Sequence, residues 1–246
     1  MSDRQPISQR LRGLFEDRLS LLLALLISGD LLFIILYVLS RIYRFADMTP
    51  FRLDIEGSHP EFYQYIKLLW IVLLLIHLAV ITRGKGYISW ILVFLYFLAD
   101  DSLQFHERTG RFLGELITFQ PPFGLLAKDA GELIAFALFG IPLLALLIWT
   151  YHRGSPTFRR ISKDLLLLVV VFAFFVVVFD LAHAILEPNL GRTVNRILTL
   201  IEDGGEMVVV SIITWYVFRV AFYRGYPPTF LTGDPARSDE SAETES

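Results

Sequence analysis

The chain has 246 residues, of which 54% are hydrophobic, 14% aromatic and only 19% charged, with a formal net charge of -3 and a mean hydropathy of +0.55. These proportions exclude an ordinary soluble domain and describe an all-α, polytopic membrane helix bundle whose first partner is the lipid bilayer. With 22 basic residues against 25 acidic ones there is no basic domain for nucleic acid, and with no cysteine there are no disulfides, thiolate metal ligands or thiol redox chemistry.

Residues 1–18 place Leu11, Leu14 and Phe15 among arginines, a pattern that suits either a short helix on an anionic membrane surface or a frayed basic end. A transmembrane domain of six spans occupies 19–223. A crossing takes about 20 apolar residues, and the spans run Leu19 to Ser40, Tyr65 to Thr82, Tyr87 to about His106, Leu133 to Tyr151, Leu165 to Leu186, and about Leu198 to Tyr223. The first is too long for a signal peptide and lacks a small-residue cleavage site, so it is retained. From 224 onward the chain reads as a disordered acidic cytoplasmic tail, with Pro227, Pro228 and Pro235 and then Asp239, Glu240, Glu243 and Glu245.

Basic residues number 13 on one side of the membrane, counting both ends and the 83–86 and 152–164 links. Nine lie on the other: Arg41, Arg44, Arg52, Lys67, Arg108, Arg111, Lys128, Arg192 and Arg196. The positive-inside tendency then puts both termini in the cytoplasm, and in a bacterium that membrane is the cell inner membrane.

Three spans are cut short by acids. Tyr87 to Ala99 is 13 uncharged residues, Leu165 to Phe179 is 15 and Met207 to Phe218 is 12. Each helix must therefore extend through Asp100, Asp101, His106 and Glu107, through Asp180, His183 and Glu187, or through Glu202, Asp203 and Glu206. At about 1.5 Å per residue, Asp100 lies roughly 20 Å and Asp180 roughly 22 Å from the inner ends of their helices. All three clusters, with Glu132 at the start of the fourth span, then share the outer leaflet. A lone carboxylate in hydrocarbon costs about 2.5 to 3.5 kcal/mol, so these groups are expected to face one pocket. Asp100, Gln104 and Glu107 make one helical stripe, and Asp180, His183 and Glu187 another; His106 stands about 100° off the first.

Spans 3–4 and 5–6 form a weak parallel repeat: Asp100 and Glu107 match Asp180 and Glu187, and Asp129-Ala-Gly-Glu132 matches Asp203-Gly-Gly-Glu206. The Asp-x-Gly-Glu spacing also fits two capping boxes, with the aspartate capping a helix start. Gly131, Gly204 and Gly205 are candidates to thin or break the helices beside the site.

Carboxylates and imidazoles from several helices are the ligand set of carboxylate-bridged metal pairs in bundle cores. The expected ligands to one or two divalent ions (Fe, Mn or Zn) are Asp100, His106, Glu107, Glu132, Asp180, His183, Glu187, Glu202 and Glu206. An enzyme built on them would use metal-bound water or redox chemistry at iron on a small-molecule or lipid substrate. A proton- or cation-coupled transporter or channel is the alternative, and a non-catalytic membrane scaffold the plainest. Asp101 and Asp203 are further buried polar residues. So are Asp30 and His77, which either pair with each other or stand apart. The His-x-x-x-His pair of ceramidase and adiponectin-receptor type hydrolases is absent, as is any Gly-x-Ser-x-Gly or phosphate loop.

Leu98-Ala99-Asp100-Asp101 with Gln104-Phe105-His106-Glu107, followed late in the chain by Glu202-Asp203-Gly204-Gly205-Glu206-Met207, resembles a loose group of uncharacterised bacterial multi-pass membrane proteins. The resemblance covers residues 87–223 and implies a bacterial inner-membrane setting. It implies no chemistry.

Overall fold

Each apolar run folds as a helix because hydrocarbon leaves backbone N–H and C=O groups no partners except one another. The computed structural model describes residues 19–43, 46–55, 57–117, 121, 126–179, 181, 182, 185 and 191–222. The basic start, the acidic tail and Asp180, His183 and Glu187 lie outside them. The described residues contain seven α-helices and no strand. They are α1 (Ser20–Tyr43), α2 (His59–Thr82), α3 (Tyr87–Leu103), α4 (Phe105–Leu116), α5 (Ala127–Arg153), α6 (Pro156–Ala173) and α7 (Arg192–Phe222). A π-helical stretch, Phe174–Phe179, prolongs α6. Five of these helices are long and apolar enough to cross a bilayer, and α3 and α4, bent by 72° at their junction, add a sixth where the pair counts as one span. The chain is an integral, multi-pass membrane protein.

The most buried element is α7, packed on α1, α2 and α6. Its Val210, Ile213, Trp215 and Tyr216 are buried with Leu68, Ile71 and Leu75 of α2, Trp90 and Phe94 of α3, and Leu165 of α6. Helices α1 and α5 turn Leu21, Leu25, Leu32, Leu138, Ile141 and Leu144 outward, as lipid-facing helices do.

Two sequence expectations fail at helix starts. α7 begins at Arg192, so Asp203 and Glu206 lie well inside a continuous helix and cap nothing. At the head of α5, Asp129 is the residue that reaches back: its carboxylate accepts the Leu126 N–H at 3.0 Å. Glu132 is thereby released from capping. The glycines pack helices closely and leave them unbroken. A Cβ on Gly131 would stand 2.0 Å from the Gly110 carbonyl oxygen of α4, and one on Gly205 would stand 2.3 Å from the Phe175 ring. In both copies of the Asp-x-Gly-Glu sequence, the glycine before the glutamate admits a neighbour at backbone distance.

Lys67 is no loop charge either. It lies inside α2 with no exposed surface, and its Nζ donates to Asp30 Oδ1 (2.7 Å), the Met207 carbonyl (2.8 Å) and Ser211 Oγ (3.1 Å). Ser211 in turn donates to Asp30 Oδ2 at 2.5 Å. One ion pair thus ties α1, α2 and α7 together with every ammonium proton placed. The Asp30–His77 alternative is overturned: His77 stacks on Phe222, ring centroids 5.7 Å apart.

Candidate functional site

The third span breaks at Gln104, which takes a left-handed conformation (φ 53°, ψ 45°) between α3 and α4. An L-residue pays roughly 1 to 2 kcal/mol for that geometry, and a local bond offsets it. The Asp100 carboxylate accepts the His106 N–H at 2.8 Å and meets His106 Nδ1 at 2.9 Å. The stripe of Asp100, Gln104 and Glu107 on one straight helix therefore does not exist. The break brings His106 onto Asp100, with the imidazole stacked on Phe136 of α5 at 4.6 Å.

Folded back, α4 lies on the first turns of α5, where Gly110 and Gly114 meet Gly131. The fold leaves an open-sided cavity of about 470 Å³. Asp100, Asp101, His106 and Glu107 line it from the bent span, Glu132 from α5, and Glu202, Asp203 and Glu206 from α7. Phe172, Ala173, Val176 and Val177 supply an apolar wall from the fifth span. Among the described residues the lining thus carries seven carboxylates and one imidazole against a single ammonium, Lys128. Of the thirteen residues singled out in the sequence, eight meet here. Asp180, His183 and Glu187 lie outside the described residues, and Asp30 and His77 lie elsewhere in the bundle.

A smaller chamber of about 240 Å³ adjoins, under the link between α1 and α2. Asp101, Asp203 and Glu206 line both chambers, and Gln64, Glu61 and Asp54 belong to the second. Gln64 Nε2 stands 3.5 Å from both Asp101 Oδ2 and Glu206 Oε2, so one amide faces two carboxylates. Sequence inspection passes over Gln64, although it lies one turn before Lys67 on the same helix. Outside the spans, Arg52 clamps Asp54 with Nε at 3.0 Å and Nη2 at 2.5 Å, and Arg41 joins them. Partial burial pushes the Asp54 carboxyl up, but the Arg52 hydrogen bonds and the two guanidinium charges outweigh it and hold it below its ordinary value. Its negative charge is therefore kept at neutral pH.

Among the described residues, no three His, Asp or Glu side chains already converge closely enough to enclose a metal ion. The cavity gathers carboxyl oxygens with room between them, the donor type that suits hard cations or protons.

A family model described as a domain of unknown function, DUF8692, matches residues 19–222. The chain belongs to that family. The match runs from just before α1 to the last residue of α7, so every helix of both chambers falls within the family's shared region. No curated protein and no solved structure matches the chain significantly.

Proposed function

We propose that this DUF8692 protein binds cations in the acid-lined cavity, with one or two divalent ions (iron, manganese or zinc) as the intended occupants. The observation that carries the reading is the lining itself: among the described residues, seven carboxyl groups and His106 face one space lined by a single ammonium. Such a gathering in a helix bundle is stabilised by a cation and strained without one. Asp180, His183 and Glu187 of the fifth span are the candidates to complete the ligand set. Closure of one or two side chains around the ion is part of the proposal.

The membrane we infer is a bacterial inner membrane with both termini cytoplasmic, the cavity lying toward the outer leaflet. With Lys67 and Arg219 both buried in the bundle, the basic residues left outside number 12 on the inner side and eight on the outer, and the bias persists. A second reading, coupled proton or cation transport, is favoured by the two chambers that share Asp101, Asp203 and Glu206.

Heating purified protein in detergent against increasing Mn²⁺ tests the first reading. The midpoint should climb and follow ligand linkage, by about 2.7 kcal/mol of stability at a hundredfold excess over the dissociation constant. A midpoint that does not move up to millimolar Mn²⁺ speaks against it. Ion flux into proteoliposomes that falls with Asp101→Asn would favour transport over a resident ion.

A further inference from the structure

At the end of the bundle away from the acid cavity, α3, α5 and α6 leave an apolar groove of about 230 Å³. Trp90, Leu144, Leu147 and Leu166 form its walls, and the exposed His152 and Lys163 border it. The indole N–H of Trp90 donates to Ser162 Oγ at 3.0 Å, so the deep end of the groove asks for no hydrogen bond. Leu144 and His152 are eight residues apart on α5, which makes the groove roughly 12 Å deep along the helix. It runs from the level of a headgroup into hydrocarbon.

Among the described residues, His152 and Lys163 are the basic groups in the groove's lining, which holds no carboxylate. The end of α5 and the first turns of α6, joined through Gly154 and Ser155, carry Arg153, Arg159 and Arg160 close in sequence to His152 and Lys163. Asp164, the residue after Lys163, is fully buried and accepts the Tyr216 hydroxyl at 3.0 Å. Arg153 lies 4.7 Å over the Trp149 ring, and Arg159 donates to the Tyr151 carbonyl at 3.0 Å and to the His152 carbonyl at 2.5 Å. These contacts, to a ring and to backbone carbonyls, hold Arg153 and Arg159 at this end of the bundle.

We propose that this groove is a binding site for an anionic phospholipid, with one acyl chain against Trp90 and Leu147 and the phosphate on Lys163 and His152. A bilayer-facing apolar slot takes hydrocarbon, and a basic rim at headgroup height selects the lipids that carry net negative charge. The site is at the other end of the molecule from the acid cavity and does not rest on the cation reading.

The test is native mass spectrometry of the full chain released from nanodiscs of equimolar phosphatidylglycerol and phosphatidylcholine. Wild type should retain phosphatidylglycerol about fivefold over phosphatidylcholine. Lys163→Ala with His152→Ala should bring that ratio close to one. Leu147→Trp, which fills the groove and leaves the rim intact, should lose the retained lipid altogether while the circular dichroism stays helical. Equal retention of both lipids by wild type overturns the site. So does an enrichment that survives Leu147→Trp, since it would reflect attraction to the basic rim alone.

Discussion

Lys67→Met should destabilise the protein by about 3 to 5 kcal/mol, the usual result of stripping one partner from a buried ion pair. Asp30 and Lys67 have no exposed surface, and the aspartate would keep only Ser211. Asp30→Leu should cost a similar amount, as it leaves an ammonium in the bundle with a carbonyl, a hydroxyl and the Tyr63 ring but no counter-charge. The double variant Asp30→Leu/Lys67→Met should recover most of the loss, because two apolar side chains of similar volume need no partner. Thermal midpoints of the four proteins in one detergent complete the cycle. Two single variants within about 1 kcal/mol of wild type would mean that water or lipid headgroups already reach the pair. The pair matters for the site because its third partner is the carbonyl of Met207, the residue after Glu206. Lys67 therefore helps to set the rotation of α7 that turns Glu206 toward the chambers.

Neutralising a cavity acid should act in the opposite direction. In metal-free buffer, Glu206→Gln should raise stability by about 1 kcal/mol, as substitutions that relieve a strained functional site commonly do. Ionising a buried carboxyl among other acids is unfavourable, and an isosteric amide removes that demand while keeping the shape. The same substitution should abolish most of the rise in midpoint that Mn²⁺ produces in wild type. Glu115→Gln, on an exposed turn of α4 outside the cavity lining, should move neither quantity by more than about 0.5 kcal/mol. If Glu206→Gln destabilised the metal-free protein as much as a core substitution, Glu206 would be a structural group holding α7 in place.

Much of this site is legible in the amino-acid order because a membrane span has a length. Runs of 12, 13 and 15 uncharged residues are too short to cross, so acids must enter the helices, and their common end follows from the alternation of spans. What local pattern does not carry is where a helix bends or begins. No glycine or proline marks the break at Gln104; the Asp100 carboxylate makes it by capping His106, and a straight-helix stripe sends His106 the wrong way. Arg192 to Ile197 falls before the sixth span as drawn from the sequence, yet it is helical, which moves Asp203 from a cap to the interior of α7. Lys67 looks like a charge at a span's edge only while α2 is taken to start at Tyr65; starting from His59 it lies inside the bundle. Asp30 did demand a partner, and a lysine stem reaches it across 37 residues of sequence. His77 is ten residues, about 15 Å, farther along α2 than Lys67.

The most direct measurement is the number of Mn²⁺ ions bound per chain at equilibrium dialysis, for wild type beside Glu132→Gln/Glu206→Gln. The cavity reading predicts one or two ions per wild-type chain, saturating, and binding at least about tenfold weaker in the double variant, as when groups that hold a metal are altered. A wild-type chain that binds none at millimolar Mn²⁺, or equal binding by the two proteins, would contradict it.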